Sequence, residues 1–265
     1  MTGPAPLHDA GGVIDRLRAA GCVAAEEEAD EILAAAPDDA TLEAQVRRRE
    51  RGEPLAWITG MMRFCGHTIH VDPGVYVPRF QTEELARRAA TLLAAVPSGA
   101  RAVDLCTGAG AVAVHLQSEA PGATVVALDI DHRAVACARR NGARAVVADL
   151  GAPLSSGAFD VVTAVAPYVP TDALRLLPAD VQRYEPRRCL DGGGDGLDLV
   201  RRIVVTAARL LRPGGWLLVE LGADQDRALS RALATSGFDG VHPWCDEDGD
   251  LRGLAARATD PVPSA

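Results

Sequence analysis

The chain has 265 residues, enough for one large domain or two modest ones around a sizeable buried core. A hydrophobic fraction of 48% excludes a disordered chain, and a formal net charge of −9 argues against a partner dominated by phosphates, since nucleic acids are usually met by a basic surface. All 27 basic residues are arginine, and Arg47, Arg48, Arg49 and Arg51 make a local basic patch. The six cysteines, Cys22, Cys65, Cys106, Cys137, Cys189 and Cys245, show no C-x-x-C spacing and read as reduced thiols. No basic stretch followed by an apolar one opens the chain, and no run reaches the ~18 apolar residues of a membrane span. A cytoplasmic protein without a membrane partner is expected.

From Leu7 to about Arg51 the apolar residues recur at spacings of three and four, with Val13, Leu17 and Ala20 on one face and Ala29, Ile32 and Leu33 on another. Pro37-Asp38-Asp39 interrupts, and Leu42 to Arg49 makes a further helix before Gly52. Two short strands, Met62 to Cys65 and His67 to Val71, flank a turn at Gly66, and Asp72-Pro73-Gly74 reads as a hinge. The expected organisation is a helical domain over 1–60, a hairpin and hinge over 61–75, and a larger domain over 76–265.

That larger domain alternates strands and helices. A helix begins at Thr82-Glu83-Glu84, whose carboxylates suit a helix N-terminus, with Phe80 and Gln81 as spacers before it. Apolar strands are expected at Ala102 to Cys106, Thr124 to Leu128, Ala145 to Ala148, Phe159 to Val165 and Trp216 to Leu221, with helices such as Ala134 to Arg140 and Leu199 to Leu211 between them. Such runs mean a parallel sheet covered on both faces. Gly240 to Trp244 and Leu251 to Ala256 then form an antiparallel hairpin. The expected fold class is α/β: a seven-stranded, mostly parallel, Rossmann-like sheet of the class I methyltransferase type, closed by that hairpin and preceded by a small helical domain.

The sharpest local signal is Asp104-Leu-Cys106-Thr107-Gly108-Ala109-Gly110, where a core strand passes into a helix. Glycines there let the backbone turn and approach a ligand closely. Asp129, followed by Ile130, ends the next strand, where a carboxylate can accept both ribose hydroxyls of a nucleoside. Asp149, followed by Leu150, ends the third and is placed to accept from an adenine amino group. Gly108-Ala-Gly110-Ala-Val-Ala113 also fits a dinucleotide fingerprint, but an acid four residues before the first glycine suits a cationic ligand and repels a pyrophosphate. S-adenosylmethionine, with an ammonium, a sulfonium and no phosphate, is the expected cofactor.

Beyond the fourth strand stands Val165-Ala166-Pro167-Tyr168, in the position where open α/β sheets bind substrate. Here the chain resembles the HemK-type protein-(glutamine-N5) methyltransferases, which modify peptide chain release factors. The resemblance is carried by Gly52-Glu53-Pro54-Leu55-Ala56-Trp57-Ile58-Thr59-Gly60, Val77-Pro78-Arg79 with Thr82-Glu83, and the Asp104–Gly110 loop with Asp129 and Asp149. It continues through the Pro-Tyr loop, Glu185-Pro186-Arg187, Leu190 to Leu197, Pro213-Gly214-Gly215, and Glu220-Leu221-Gly222 with Gln225. It implies N-methylation of a glutamine side-chain amide on a protein or peptide, with Val165, Ala166, Pro167 and Tyr168 as the substrate-positioning loop. The family's loop is Asn-Pro-Pro-Tyr. Val165 therefore lacks the side-chain acceptor that would orient the amide, and Ala166 keeps only its backbone carbonyl. Leu150 likewise stands where the family has an aromatic residue.

A small-molecule acceptor and a cofactor-binding protein with little turnover are the alternatives; a nucleic-acid acceptor is disfavoured by the acidic charge and 4% aromatic content. His67 and His70 lack a cysteine or carboxylate cluster and read as surface residues, so no metal site is expected. Asp246-Glu-Asp248-Gly-Asp250 fails the calcium-loop template and reads as a solvated turn. Cys106 and Cys189 are expected near the cofactor but without a base partner, and so not as nucleophiles.

Overall fold

The computed structural model describes residues 10–259. Three helices, α1 (Ala10–Ala19), α2 (Ala25–Ala35) and α3 (Asp39–Glu50), pack around Val13, Leu17, Ala29, Ile32, Leu42 and Val46. The Asp38 carboxylate caps α3 by accepting from the Thr41 N–H at 2.7 Å. The expected helical span began at Leu7, and residues 7–9 lie outside the described part. Three of the four arginines in the expected basic patch are paired: Arg47 with Glu43, Arg48 with Glu53 and Arg49 with Glu28.

A short helix that the residue pattern did not signal, α4 (Leu55–Thr59), leads into the hairpin β1 (Met61–Phe64) and β2 (His67–His70). Trp57, Phe64 and Ile69 bury their side chains in the same core as the following domain. The segment read as a hinge is tied at both ends. The Asp72 carboxylate accepts from Arg140 at 2.6 Å. Asn141 accepts from the His70 N–H at 2.8 Å and donates to the carbonyls of His70 and Ala109 at 2.8 and 2.9 Å, joining the hairpin to the glycine loop.

After α5 (Thr82–Ala94) the chain enters a seven-stranded sheet through β3 (Arg101–Leu105), α6 (Ala111–Glu119), β4 (Thr124–Asp129), α7 (His132–Arg140) and β5 (Ala145–Val147). It returns through β6 (Phe159–Ala164), α8 (Ala179–Tyr184), α9 (Asp198–Leu210), β7 (Leu211–Glu220) and α10 (Gln225–Thr235) to β8 (Phe238–Cys245) and β9 (Leu251–Ala258). The strand order is β5-β4-β3-β6-β7-β9-β8, parallel from β5 to β7, with β9 antiparallel to both its neighbours. This is the expected Rossmann-like sheet. Every residue of β6 is buried, as a central strand covered on both faces requires. Val200, Ile203, Val204, Ala207 and Leu210 form the buried stripe of α9 at helical spacing. Asp246 accepts from the backbone of Asp248 and Asp250, so the acidic run is a turn closing the β8–β9 hairpin.

Because the order of connections reverses between β3 and β6, a crevice opens past their carboxyl ends. Its floor depends on Gly110, at φ +82°, where a Cβ would lie 2.9 Å from the Ala138 Cβ and 3.1 Å from the Ala138 Cα on α7. Helices α6 and α7 can approach only over that missing side chain. Gly110→Ala should therefore destabilise the fold by about 1–3 kcal/mol, as forced overpacking does; a urea melt matching wild type would show that the helices yield without cost.

Candidate active site

The crevice holds a cavity of about 420 Å³ lined by Tyr76, Cys106, Gly108, Asp129, Ile130, Val165, Ala166, Pro167 and Tyr168 among others. A narrow annex continues from it past Tyr76, Asp104, Thr107, Gly108, Ala109 and Val165. The glycine loop, the tip of β4 and the Val165–Tyr168 loop thus meet at one opening, as their places after β3, β4 and β6 require.

Asp129 is fixed by backbone: one carboxylate oxygen accepts from the Gly108 N–H and the other from the Asp131 N–H, both at 2.9 Å. Burial holds its pKa above the usual carboxylate value. Ile130, 69% exposed, stands at the rim. Asp104 is wholly buried beneath the annex and accepts from the Thr107 hydroxyl at 2.5 Å and the Thr163 hydroxyl at 2.7 Å. Burial pushes its pKa up to about 6, and no ion pair reaches it among the described residues. Cys106 and Cys189 both line the cavity, and burial raises both thiols, which keeps them protonated.

Asp149 and Leu150 lie elsewhere. Strand β5 ends at Val147, and the Asp149 carboxylate takes both its hydrogen bonds from Arg202 of α9, at 2.8 and 3.0 Å. The pair lines a shallow depression with Arg202, Thr206 and Arg209 and does not line the main cavity. A strand-tip position set the expectation; an arginine from another element took the carboxylate.

The wall that carries Tyr168 is held from behind. Glu220, at the end of β7 and buried, accepts from the Tyr168 hydroxyl at 2.9 Å and from the Thr82 hydroxyl at 2.6 Å. Gln225 donates to the carbonyls of Tyr168 at 2.8 Å and Asp195 at 3.1 Å. The glycine-rich stretch from Gly192 to Gly196 packs directly on this loop: a Cβ at Gly196, φ +79°, would sit 2.2 Å from the Tyr168 carbonyl oxygen. Across the opening Arg79 pairs with the buried Glu185 and lies over the Tyr76 ring, 4.9 Å from its centroid.

Several lining residues carried no signal in the sequence: Tyr76, Leu177, Val181 and Arg188, which pairs with Asp131. Gln81, expected as a spacer, also lines the cavity, whereas Phe80 is 79% exposed. The two histidines of the hairpin part company. His70 is exposed, but His67 is half-buried against His115, with Nε2 3.4 Å from Nδ1.

Sheet order, glycine loop and strand-tip carboxylate together define a Rossmann-like, S-adenosylmethionine-dependent methyltransferase. Residues 66–169 match the family model described as "Methyltransferase small domain". A release factor glutamine methyltransferase from Geobacter sulfurreducens is 40% identical over 218 residues, 80% of this chain and 76% of that one. The 4-amino-L-phenylalanine/4-methylamino-L-phenylalanine methyltransferase of Streptomyces pristinaespiralis is 38% identical over 261 residues, 93% of this chain and 89% of that one. Among solved structures, a methyltransferase from Pyrococcus furiosus shares the fold at a TM-score of 0.52 and 17% identity, covering 82% of this chain and 98% of that one. The chain belongs to the release factor glutamine methyltransferase family.

Tyr168→Phe keeps the ring but strips Glu220 of one donor. Leaving that buried oxygen unsatisfied should cost about 1–3 kcal/mol in denaturant unfolding. A loss below about 0.5 kcal/mol, the range of an inert surface change, would mean that Glu220 does not anchor this wall.

Proposed function

We propose that the enzyme transfers a methyl group from S-adenosylmethionine to the side-chain amide nitrogen of a glutamine in a protein or peptide, with a peptide chain release factor as the partner to try first. The carrying observation is the Ala166 carbonyl. Ala166 lines the cavity, and among the described residues no protein group donates to its carbonyl, which leaves that oxygen available to accept from an amide NH2. An amide nitrogen is a weak nucleophile because its lone pair is delocalised, and fixing its orientation is what a protein can contribute. Action on a release factor would place the enzyme in the cytoplasm.

The cavity suits the cofactor on its donor set: carboxylates at two strand ends and no cradle for a pyrophosphate. Asp129 would hold the ribose hydroxyls with the lone pairs its two backbone bonds leave over. Ile130 would cover the adenine, and the annex at Asp104, Thr107, Gly108 and Ala109 would take the ammonium end, with Cys106 and Gly110 shaping the loop. Asp149 would reach an adenine amino group only by releasing Arg202. When bound, S-adenosylmethionine supplies an electrophilic methyl on a sulfonium, open to a one-step displacement. Val165, Ala166, Pro167 and Tyr168 would exclude water and set the acceptor's angle.

One observation favours a second acceptor class. Val165 offers no hydrogen bond, and the walls around it include Val75, Tyr76, Leu177 and Val181, surfaces that suit a flat apolar body bearing an amine. The Streptomyces relative, which matches nearly the whole chain, is named for methylation of an arylamine amino acid. Mass spectrometry after incubation with labelled cofactor and either a release factor or 4-amino-L-phenylalanine separates the two readings. A methyl on neither would leave a cofactor-binding protein with little turnover.

Two substitutions test the assignment of roles. Asp129→Ala should weaken S-adenosylmethionine binding by about 1–3 kcal/mol, the worth of charge-assisted hydrogen bonds; calorimetry giving unchanged affinity in the folded variant removes Asp129 from the site. Val165→Asn restores an acceptor at nearly constant size, and turnover on a glutamine-containing release-factor peptide should rise about ten- to a hundredfold if one oriented bond is regained. Were wild type already fast on that peptide and the variant no faster, the Ala166 carbonyl would suffice alone. A fall in activity on an arylamine in the same variant would support the apolar reading, because the new amide would be buried unpaired.

A further inference from the structure

A cluster of ligating side chains lies toward the C-terminal end of α6, away from the glycine loop at its start, and includes a residue of the hairpin. His115 and Glu119 are four residues apart on α6 and so share a face. His67 opens β2 and brings its ring against them. The ligating atoms of all three lie within 4.8 Å of one another. We propose that His67, His115 and Glu119 form a zinc site, with water as the fourth ligand, that fastens the hairpin to α6.

The His67–His115 distance suits a metal better than it suits the pair alone. Tetrahedral zinc with bonds of about 2.0–2.1 Å sets its ligand atoms about 3.3–3.4 Å apart. His67 Nε2 and His115 Nδ1 are 3.4 Å apart, at that spacing and beyond the ~2.9–3.0 Å typical of a nitrogen-donor hydrogen bond. The rings meet at 61°, each turning one nitrogen toward the other. His115 is buried and His67 half-buried, so both rings are held in place by packing.

The carboxylate points to the same chemistry. Glu83, the other acid near this cluster, is engaged by Arg87 and the Cys65 N–H. Glu119 has no ion pair among the described residues and is exposed, so its oxygen can swing about an ångström toward the two rings. Two imidazoles and one carboxylate suit zinc, a borderline cation, and not magnesium or calcium, which take all-oxygen shells. The exposed side of Glu119 leaves room for the water. A metal here would join β2 to the helix whose N-terminus is Gly110, adding to the latch that Asn141 makes at the other end.

The test uses the full chain after chelator treatment, titrated with zinc against a chromophoric competitor, beside His67→Ala and Glu119→Gln. One zinc per chain is expected, bound at least about tenfold more weakly by each variant, since losing one of three protein ligands removes a strong bond. At a hundredfold excess over the dissociation constant, zinc should raise the wild-type melting temperature by about 5–10 °C, magnesium should not, and neither variant should respond fully. Cobalt in place of zinc should give a spectrum without a thiolate charge-transfer band. The proposal fails if zinc leaves the melting temperature unchanged, if both variants bind as wild type does, or if that band appears and assigns the metal to cysteines. Both substituted residues have solvent access, and far-UV circular dichroism of the metal-free variants checks that they fold. No step of the test depends on the methyl acceptor.

Discussion

One buried carboxylate ties the start of α5, beside the annex, to the Pro-Tyr wall of the cavity. Glu220 stands at the end of β7, and its two oxygens take hydroxyls from Thr82, 138 residues earlier, and Tyr168, 52 residues earlier. It has no ion pair among the described residues, and burial raises its pKa. An acid whose pKa is higher folded than unfolded contributes most below its unfolded value and loses stability as pH rises through its folded one. Glu220 is thus a poor choice for stability alone. It is understandable as a part that sets a distance: α5 and the Pro-Tyr loop cannot drift apart without orphaning it. Asp104, pushed up to about 6 beneath the annex, repeats the pattern. Two strand ends that face the crevice carry a desolvated acid held by hydroxyls, and the fold accepts that cost where a ligand is to be bound.

This explains which parts of the molecule could be read in the sequence. Central strands such as β6 are buried on both faces and leave unbroken apolar runs, so the sheet was legible. Its carboxylates at Asp104 and Asp129 were legible too, because strand and helix boundaries fix where a backbone turn presents its next side chain. The short helices α4 and α8 were not, since five or six residues cannot display a helical period. Nor was the direction of a side chain beyond a strand end. Asp129 is the last residue of β4 and Asp149 lies two residues past the end of β5; backbone N–H groups hold the first at the cavity, and Arg202 takes the second.

Pairings over long separations were the other blind spot. Arg79 and Glu185 belong to two motifs that the family resemblance singled out separately, and only the fold shows that they are one ion pair spanning 106 residues. The hairpin histidines show the same limit. Judged by their neighbours in sequence, His67 and His70 lack a carboxylate partner. The partners of His67 arrive from α6, and no spacing within the hairpin could announce them.

Chain and family part at Val165, at Ala166 and at Leu150, and the loop that carries the first two keeps its supports. The hydrogen bonds from Tyr168 to Glu220 and from Gln225 to the Tyr168 carbonyl are present, and the loop from Gly192 to Gly196 still packs against them without room for a Cβ. A loop that had lost its task would be free to lose this scaffolding, which costs buried polar groups and glycine conformations to keep. The scaffolding of this wall is thus in place, while the position where the family carries an asparagine holds a hydrocarbon. Such a change alters which surface the acceptor may present beside its nitrogen far more than it alters the approach of that nitrogen to a methyl donor. The two acceptor classes differ in what surrounds the nucleophilic nitrogen, not in the transfer itself, and a side chain at position 165 acts on the first of these.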